Sequence, residues 1–355
     1  MGNYLLEKEK KQHAKLMEIV SKLPDFCSDY FVGIEQNTTI LTRINYALDL
    51  NIFFNYLIKY YKDFGSEIAS IADIKTDDLE KITPNCIERF LSYLTIYEIN
   101  GISYQNSPKA KSRKLSSIRS LLKFFFIRGN ISKNIGEKVR TPKLHSKEIV
   151  YLNNEEVSNI LEEAEYGENL TKTQKKFHGV NKIRDTAILT LFLGTGIRVS
   201  ELVGISNNDI NFNENSFIVT RKGGNRAILY FSEEVATALK EYLKQKIELC
   251  AKFDTYDKEA FFLSLQGSRV SVRNVQILVK KYAKIISPLK KITPHKLRST
   301  YGTQLYAQTK DIYIVADVLG HKDVNTTTKH YAAISENIRK DAAEMVVLRK
   351  KDPNN

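Results

Sequence analysis

Cysteine is scarce in this chain of 355 residues, and the three present, Cys27, Cys86 and Cys250, lie far apart with no close-spaced partner. That spacing gives neither a disulfide framework nor a metal-ligand pattern, and it fits reduced, buried thiols in a reducing compartment. Long apolar runs are missing too. None approaches the roughly 20 residues that cross a bilayer, and Met1 to Lys22 is charged and without a signal-peptide cleavage pattern. A cytoplasmic location with no membrane partner is the expectation. Acidic residues are in deficit: 41 against 54 lysines and arginines, a formal charge of +13. An excess of that size favours polyanionic partners, nucleic acid first and an anionic membrane surface second.

What is present reads as two helix-rich regions joined by a short linker, as expected for a chain too long for one core. Residues 38 to 62 carry Ile40, Tyr46, Leu50, Phe53, Phe54 and Leu57 at helical spacing. Thr83-Pro84 opens another helix with Cys86, Ile87, Phe90, Leu91 and Leu94 facing inward. In residues 109 to 127, Lys109, Lys111, Arg113, Lys114, Arg119 and Lys123 alternate with Leu115, Ile118, Leu121, Leu122 and Phe124 to Phe126. This predicts an amphipathic helix with one buried and one basic face. Such a face is usually just solvated, and in a +13 chain a phosphate-contacting face is a fair alternative. Periodicity fades after Asn130, and Val139 to Ser146, with Pro142, reads as an extended linker.

The second region opens at Leu152-Asn153-Asn154 with the early acids of a helix start. An apolar helix over Ile183 to Leu193 stops at Gly194-Thr195-Gly196. Ser216 to Thr220 and Ala227 to Phe231 flank Gly223-Gly224-Asn225, a hairpin signal. Helix returns afterwards, broken at Pro288 and Pro294. The fold class expected is mainly α with a small β-sheet or hairpin.

Four segments of this region can carry chemistry. Arg198 stands near the start of a helix after Gly194-Thr195-Gly196, where an arginine makes an anion site easy to build; Glu201, three residues on, also suits the first helical turn by itself. His295 and Arg298 are three apart after Pro294 and share a helical face able to bind phosphate oxygens. Leu319-Gly320-His321 ends a helix and precedes Tyr331. Lys222 sits at the hairpin tip. Each has a plain structural explanation when taken alone.

Taken in order, Arg198-x-x-Glu201, a hairpin lysine, His295-x-x-Arg298, Leu319-Gly320-His321 and a late tyrosine resemble the tyrosine recombinase (phage integrase) family across nearly the whole chain. The resemblance implies a two-domain DNA clamp. Residues 1–24 would be an N-terminal extension, 25–138 a helical core-binding domain, 139–149 a linker, 150–335 an α+β catalytic domain, and 336–355 a tail. It implies a transesterification that uses neither metal nor cofactor. Tyr331 would be the nucleophile, Arg198, Arg298, His321 and His295 would handle the phosphate and its protons, Lys222 would protonate the leaving oxygen, and Glu201 would support. Lys109, Lys111, Arg113, Lys114 and Arg119 would bind DNA.

Two departures from the family pattern stand out. His321 and Tyr331 are ten apart, one more than in many members, and Arg221 replaces the glycine many relatives place before the hairpin lysine, in a tip one residue short. Lys182 or another basic residue therefore stays open as an alternative to Lys222. The implied partners are double-stranded DNA with a specific recombination site, further copies of the chain in a tetramer on two duplexes, and a DNA translocase or accessory factor. The amphipathic Asp341 to Leu348 would dock on a neighbouring protomer or on its own domain. The compact chain looks most like Xer-type recombinases that resolve chromosome dimers. The alternatives are a mobile-element integrase or excisionase, a non-catalytic DNA-binding regulator, and a type IB topoisomerase activity.

Overall fold

The computed structural model describes residues 3–61, 64, 68–99, 101–143, 149–221, 224–320 and 324. The chain divides into two compact units, Met1–Ser146 and Lys147–Asn355. Both are mostly helical. Among the described residues no helix is long and apolar enough to cross a membrane.

The first unit contains α1 (Asn3–Val20), α2 (Phe26–Gly33), α3 (Ile40–Tyr60), α4 (Pro84–Tyr93) and α5 (Pro108–Ile127). Caps explain several starts. The side chains of Thr39, Thr83 and Ser107 accept from the backbone N–H of Thr42, Cys86 and Ala110, and proline follows two of them in the first turn, where no N–H is needed. Phe53, Phe54, Phe90, Leu115, Ile118, Leu121 and Leu122 are buried together in one core. Phe53 meets Phe90 edge-on at 5.0 Å, and Phe26 meets Phe125 at 5.3 Å.

Four expectations change here. The N-terminal segment is not an appendage, because Leu16, Val20 and Leu23 lie in that same core. Phe126 is exposed at 42% rather than facing inward, since Leu121, Leu122 and Phe125 already occupy the buried stripe. An antiparallel hairpin, β1 (Ile96–Ile99) with β2 (Ile102–Gln105), follows α4 unforeseen. Its signal is Asn100-Gly101 between two short apolar runs. Val139, read as linker, is buried in the first core.

The second unit begins with α6 (Asn154–Tyr166), opened by a reciprocal capping box between Asn153 and Glu156. Then come α7 (Lys172–Thr195), α8 (Val199–Leu202), the strands β3 (Ile210–Asn211), β4 (Ser216–Thr220) and β5 (Arg226–Tyr230), α9 (Glu233–Cys250), α10 (Val272–Ile286), α11 (Pro294–Thr309) and α12 (Ile312–Leu319). The strands form one antiparallel sheet in sequence order, with Ser216 opposite Tyr230 and Thr220 opposite Arg226. Helix α7 begins well before Ile183, at a capping box of Thr171 and Gln174. It packs against α6, α9 and α11 and carries Ile188, Leu189, Leu191 and Phe192 into the second core. A buried polar group also sits on it: Asp185 accepts from Lys281 Nζ at 2.9 Å and Tyr282 Oη at 3.0 Å. The pairing supplies what a desolvated carboxylate requires.

Candidate active site

The site is assembled from two helix ends and the short helix that follows the first. Helix α7 ends at Gly196, whose φ of +61° is the left-handed conformation favoured by glycine. A methyl group there would lie 2.5 Å from Tyr301 Cδ1 and 2.8 Å from Leu319 Cδ2, so space as well as φ demands glycine. Two residues on, Arg198 is the extended N-cap of the four-residue α8. Glu201 closes the turn: its Oε2 accepts from Arg198 N at 3.0 Å and its Oε1 from Arg198 Nη1 at 2.8 Å. The Glu201 side chain is 3% exposed and that of Arg198 36%, so a buried carboxylate orients a half-exposed guanidinium.

Helix α12 ends at Gly320, again left-handed with φ +60°. The last carbonyls of a helix have no partner inside it and mark the negative end of its dipole. Arginines from three elements meet these carbonyls. Arg221 Nη2 reaches Val318 O at 3.4 Å, Arg298 Nη2 donates to Leu319 O, and Arg198 Nη2 donates to Gly320 O at 3.1 Å. Arg298 is buried, and its Nη1 donates to Gly196 O at 2.6 Å. Val315 and Leu319 pack with Tyr301, Leu305, Tyr306 and Ile312, fixing α12 to α11. Tyr301 serves here as a packing residue against Val315 and Leu319, and its burial raises its pKa above the usual phenol value.

Arg198 and Arg298, far apart in sequence, thus converge on the carbonyls of adjacent residues. His295 stands exposed in the first turn of α11, one turn before Arg298. Lys222, His321 and Tyr331 lie outside the described residues, as does the tail 336–355. The alternative Lys182 is exposed on α7. Chemically, two guanidiniums held side by side suit an anion with several oxygens, such as a phosphate diester. Sequence reasoning did not single out Arg221 as part of this cluster. Its signal was the departure from glycine ahead of Lys222.

The basic stripe on α5 is more divided than the sequence suggests. Lys109 is exposed. Lys111 Nζ donates to Thr95 Oγ1 at 2.7 Å. Arg113 forks onto Asp49, with Nη2 2.8 Å from Oδ1. Lys114 is corrected outright: it is 4% exposed and pairs with Asp49 at 2.8 Å. Helical phase explains this, because 114, 118, 121 and 125 fall on one face, and that face is the core. Burial raises the Asp49 pKa, against the pull of Lys114 and Arg113. Arg119 also turns inward, binding Gly136 O, Thr141 Oγ1 and Val139 O.

Residues 151–337 match the phage integrase family. The tyrosine recombinase XerC of Caldanaerobacter subterraneus is 36% identical over 289 residues, covering 79% of this chain and 75% of the relative. XerS of Streptococcus uberis is 32% identical over 341 residues, covering 88% and 93%. In fold, the chain resembles the XerH site-specific recombinase bound to its difH substrate after cleavage, with TM-score 0.64, 19% identity, and 87% and 81% of the two chains covered. It also resembles the Tn1549 transposon integrase with circular intermediate DNA, with TM-score 0.62, 19% identity, and 90% and 99% covered.

Proposed function

The chain belongs to the phage integrase family of tyrosine recombinases, and from that membership we propose that it exchanges DNA strands through a covalent bond between Tyr331 and a backbone phosphate. The observation that carries this reading is the meeting of Arg198 and Arg298 on Gly320 O and Leu319 O. Those carbonyls immediately precede His321 in the chain. The phenol oxygen of Tyr331 attacks phosphorus, the 5′-oxygen leaves, and a 3′-phosphotyrosyl bond replaces the phosphodiester. A 5′-hydroxyl from the partner strand then attacks the phosphotyrosine and releases the phenol. One ester bond is made for each broken, so no external energy source enters.

Each residue type suits its step. A phenol with a pKa near 10 needs activation at neutral pH, and His295 serves as base or as a phosphate donor. The five-coordinate phosphate concentrates negative charge on its non-bridging oxygens. Two permanently charged, pre-oriented arginines stabilise it, and His321 adds a further hydrogen bond. Lys222 protonates the departing 5′-oxygen. Glu201 acts through Arg198, whose Nη1 it accepts at 2.8 Å.

In the biological setting, the relatives named XerC and XerS favour an Xer-type role in resolving chromosome dimers over integration of a mobile element. The assembly is a tetramer on two duplexes, with the tail beyond residue 335 docking on a neighbouring protomer. Lys109, Lys111 and Arg113 contribute to backbone phosphate binding. The test is capture: incubate the chain with a library of nicked genomic duplexes, denature, recover protein-linked DNA and sequence it. Recovery of one chromosomal site supports the Xer-type role. Recovery of element ends overturns it in favour of integration, and recovery of random sequence replaces both with topoisomerase-like chemistry.

A further inference from the structure

One charged residue near the site has no part in the scheme above. Arg221 is the last residue of the β4 side before the hairpin tip, and it stands where many family members carry glycine. Its backbone is fixed by the turn: Arg221 N donates to Asn225 O at 2.8 Å, and Gly224 N donates to Arg221 O at 3.1 Å. Its side chain leaves the hairpin altogether. Nη2 reaches Val318 O at 3.4 Å, 97 residues further along the chain. The guanidinium also lies close against Gly320, where a methyl group would sit 2.0 Å from Nη1 and 2.2 Å from Cζ. Glycine at 320 is therefore required for this contact as well as for its left-handed φ of +60°.

Stability alone is a poor explanation for this arrangement. Arg221 Nε is buried and has no hydrogen-bond partner among the described residues. Among the described residues the hydrogen bond of this side chain is the 3.4 Å one to Val318 O, too long to add much stability. Among the salt bridges between described residues, none involves Arg221 (Arg198, by contrast, pairs with Glu201). What the contact does accomplish is to join two elements at chemically important points. Arg221 is bonded directly to Lys222, and Gly320 directly to His321. On β5, Ile228 and Tyr230 face outward, exposed at 58% and 68%, while Leu229 packs into the second core and anchors the base of the hairpin rather than its tip.

We infer that Arg221 is a positioning residue that ties the hairpin carrying Lys222 to the end of α12 that leads into His321. It acts through these neighbours and not on the substrate. The inference rests on the proposed roles of Lys222 and Tyr331. Its consequence is that losing Arg221 costs proton delivery to the leaving oxygen more than it costs phosphate binding.

The test uses the full chain and nicked duplexes bearing the captured site, with either an ordinary 5′-oxygen or a 5′-sulfur at the scissile position. A thiolate leaves without protonation, so the sulfur substrate bypasses a general acid. Arg221→Ala is expected to cleave the oxygen substrate at least about tenfold more slowly than wild type, and the sulfur substrate within about threefold of it. DNA affinity and melting temperature are expected to stay near wild type, and Arg221→Lys to recover part of the oxygen rate. An equal loss on both substrates makes Arg221 a phosphate-binding or folding residue and overturns the inference. So does no loss on either. Lys222→Ala in parallel separates the two claims: if it is slow on oxygen and normal on sulfur while Arg221→Ala is not, the positioning role alone fails. If Lys222→Ala is unaffected on oxygen, the acid assignment fails and takes the inference with it. A Tyr331→Phe control that still forms adduct removes the wider reading.

Discussion

Arg298 holds Gly196 across 102 residues of chain, donating from a buried guanidinium to the Gly196 carbonyl at 2.6 Å. Its other arm donates to Leu319 O, so one side chain joins the end of α7 to the end of α12. A residue proposed to bind the reacting phosphate is thus also a structural tie. Replacement by alanine strands two carbonyls and should destabilise the second unit by about 2–4 kcal/mol. Urea unfolding of the full chain measures this. Arg298→Lys keeps the charge and loses the fork, and strand cleavage should still fall on the order of 100-fold. Cleavage within tenfold of wild type in the lysine variant would contradict the assignment.

Arg198 behaves differently because its partner is an acid. Removing it leaves the Glu201 carboxylate, 3% exposed, without its cation. Arg198→Ala should destabilise by about 2 kcal/mol, less than for a fully buried pair because Arg198 is partly solvated. Adding Glu201→Gln should restore most of that stability and none of the cleavage. Recovery of cleavage in the double variant would mean that Arg198 acts on Glu201 alone.

On α5, exposed and buried lysines should separate cleanly. Lys109→Gln should lower DNA affinity and reduce the slope of log affinity against log salt by about 0.9, the loss of one phosphate contact. Lys114→Met should leave that slope unchanged. It should destabilise the first unit by on the order of 3 kcal/mol, because Asp49 loses its buried partner. A salt slope that responds to Lys114 would place it on the DNA face after all.

Lys246 provides the pH dependence. It is 5% exposed, donates to Asn207 Oδ1 at 2.7 Å and Ala260 O at 2.5 Å, and burial pushes its pKa down to about 8. The unfolded chain keeps this lysine protonated to about pH 10.4. Between those values the unfolded state binds more protons, so the contribution of Lys246 to stability rises with pH. Unfolding free energy measured from pH 7.5 to 9.5, wild type minus Lys246→Met, should therefore increase with pH. A flat or falling difference would mean that the ammonium is not desolvated.

Much of this was legible in the sequence where local rules govern. Gly196 and Gly320 signalled helix ends, Thr83-Pro84 a start, and the glycine-rich stretch after Lys222 a hairpin, because caps and turns depend on a few adjacent residues. Other local signals were present but outweighed. Thr171 and Gln174 form a capping box three turns before the apolar stretch of α7, and Asn100-Gly101 marks a hairpin with only four residues on each side. Lys114 was misread because a basic residue within a basic run looks solvated. Its partner Asp49 lies 65 residues away, beyond the reach of any periodicity. The three arginines on successive carbonyls of α12 belong to the same class, since tertiary packing alone brings Arg198, Arg221 and Arg298 together. The order of motifs named the family; only the fold could bring the guanidiniums to adjacent carbonyls.

The nucleophile itself is the most direct test. Wild-type chain and Tyr331→Phe are incubated with a nicked duplex carrying the captured site, then denatured and resolved for protein-linked DNA, with binding measured in parallel. The account predicts a covalent adduct at Tyr331 in the wild type, identified by peptide mass. It predicts none in Tyr331→Phe, whose DNA affinity should stay within about threefold of wild type because one hydroxyl adds little to a phosphate-dominated interface. An adduct persisting in Tyr331→Phe, or mapping to another residue in the wild type, would contradict it.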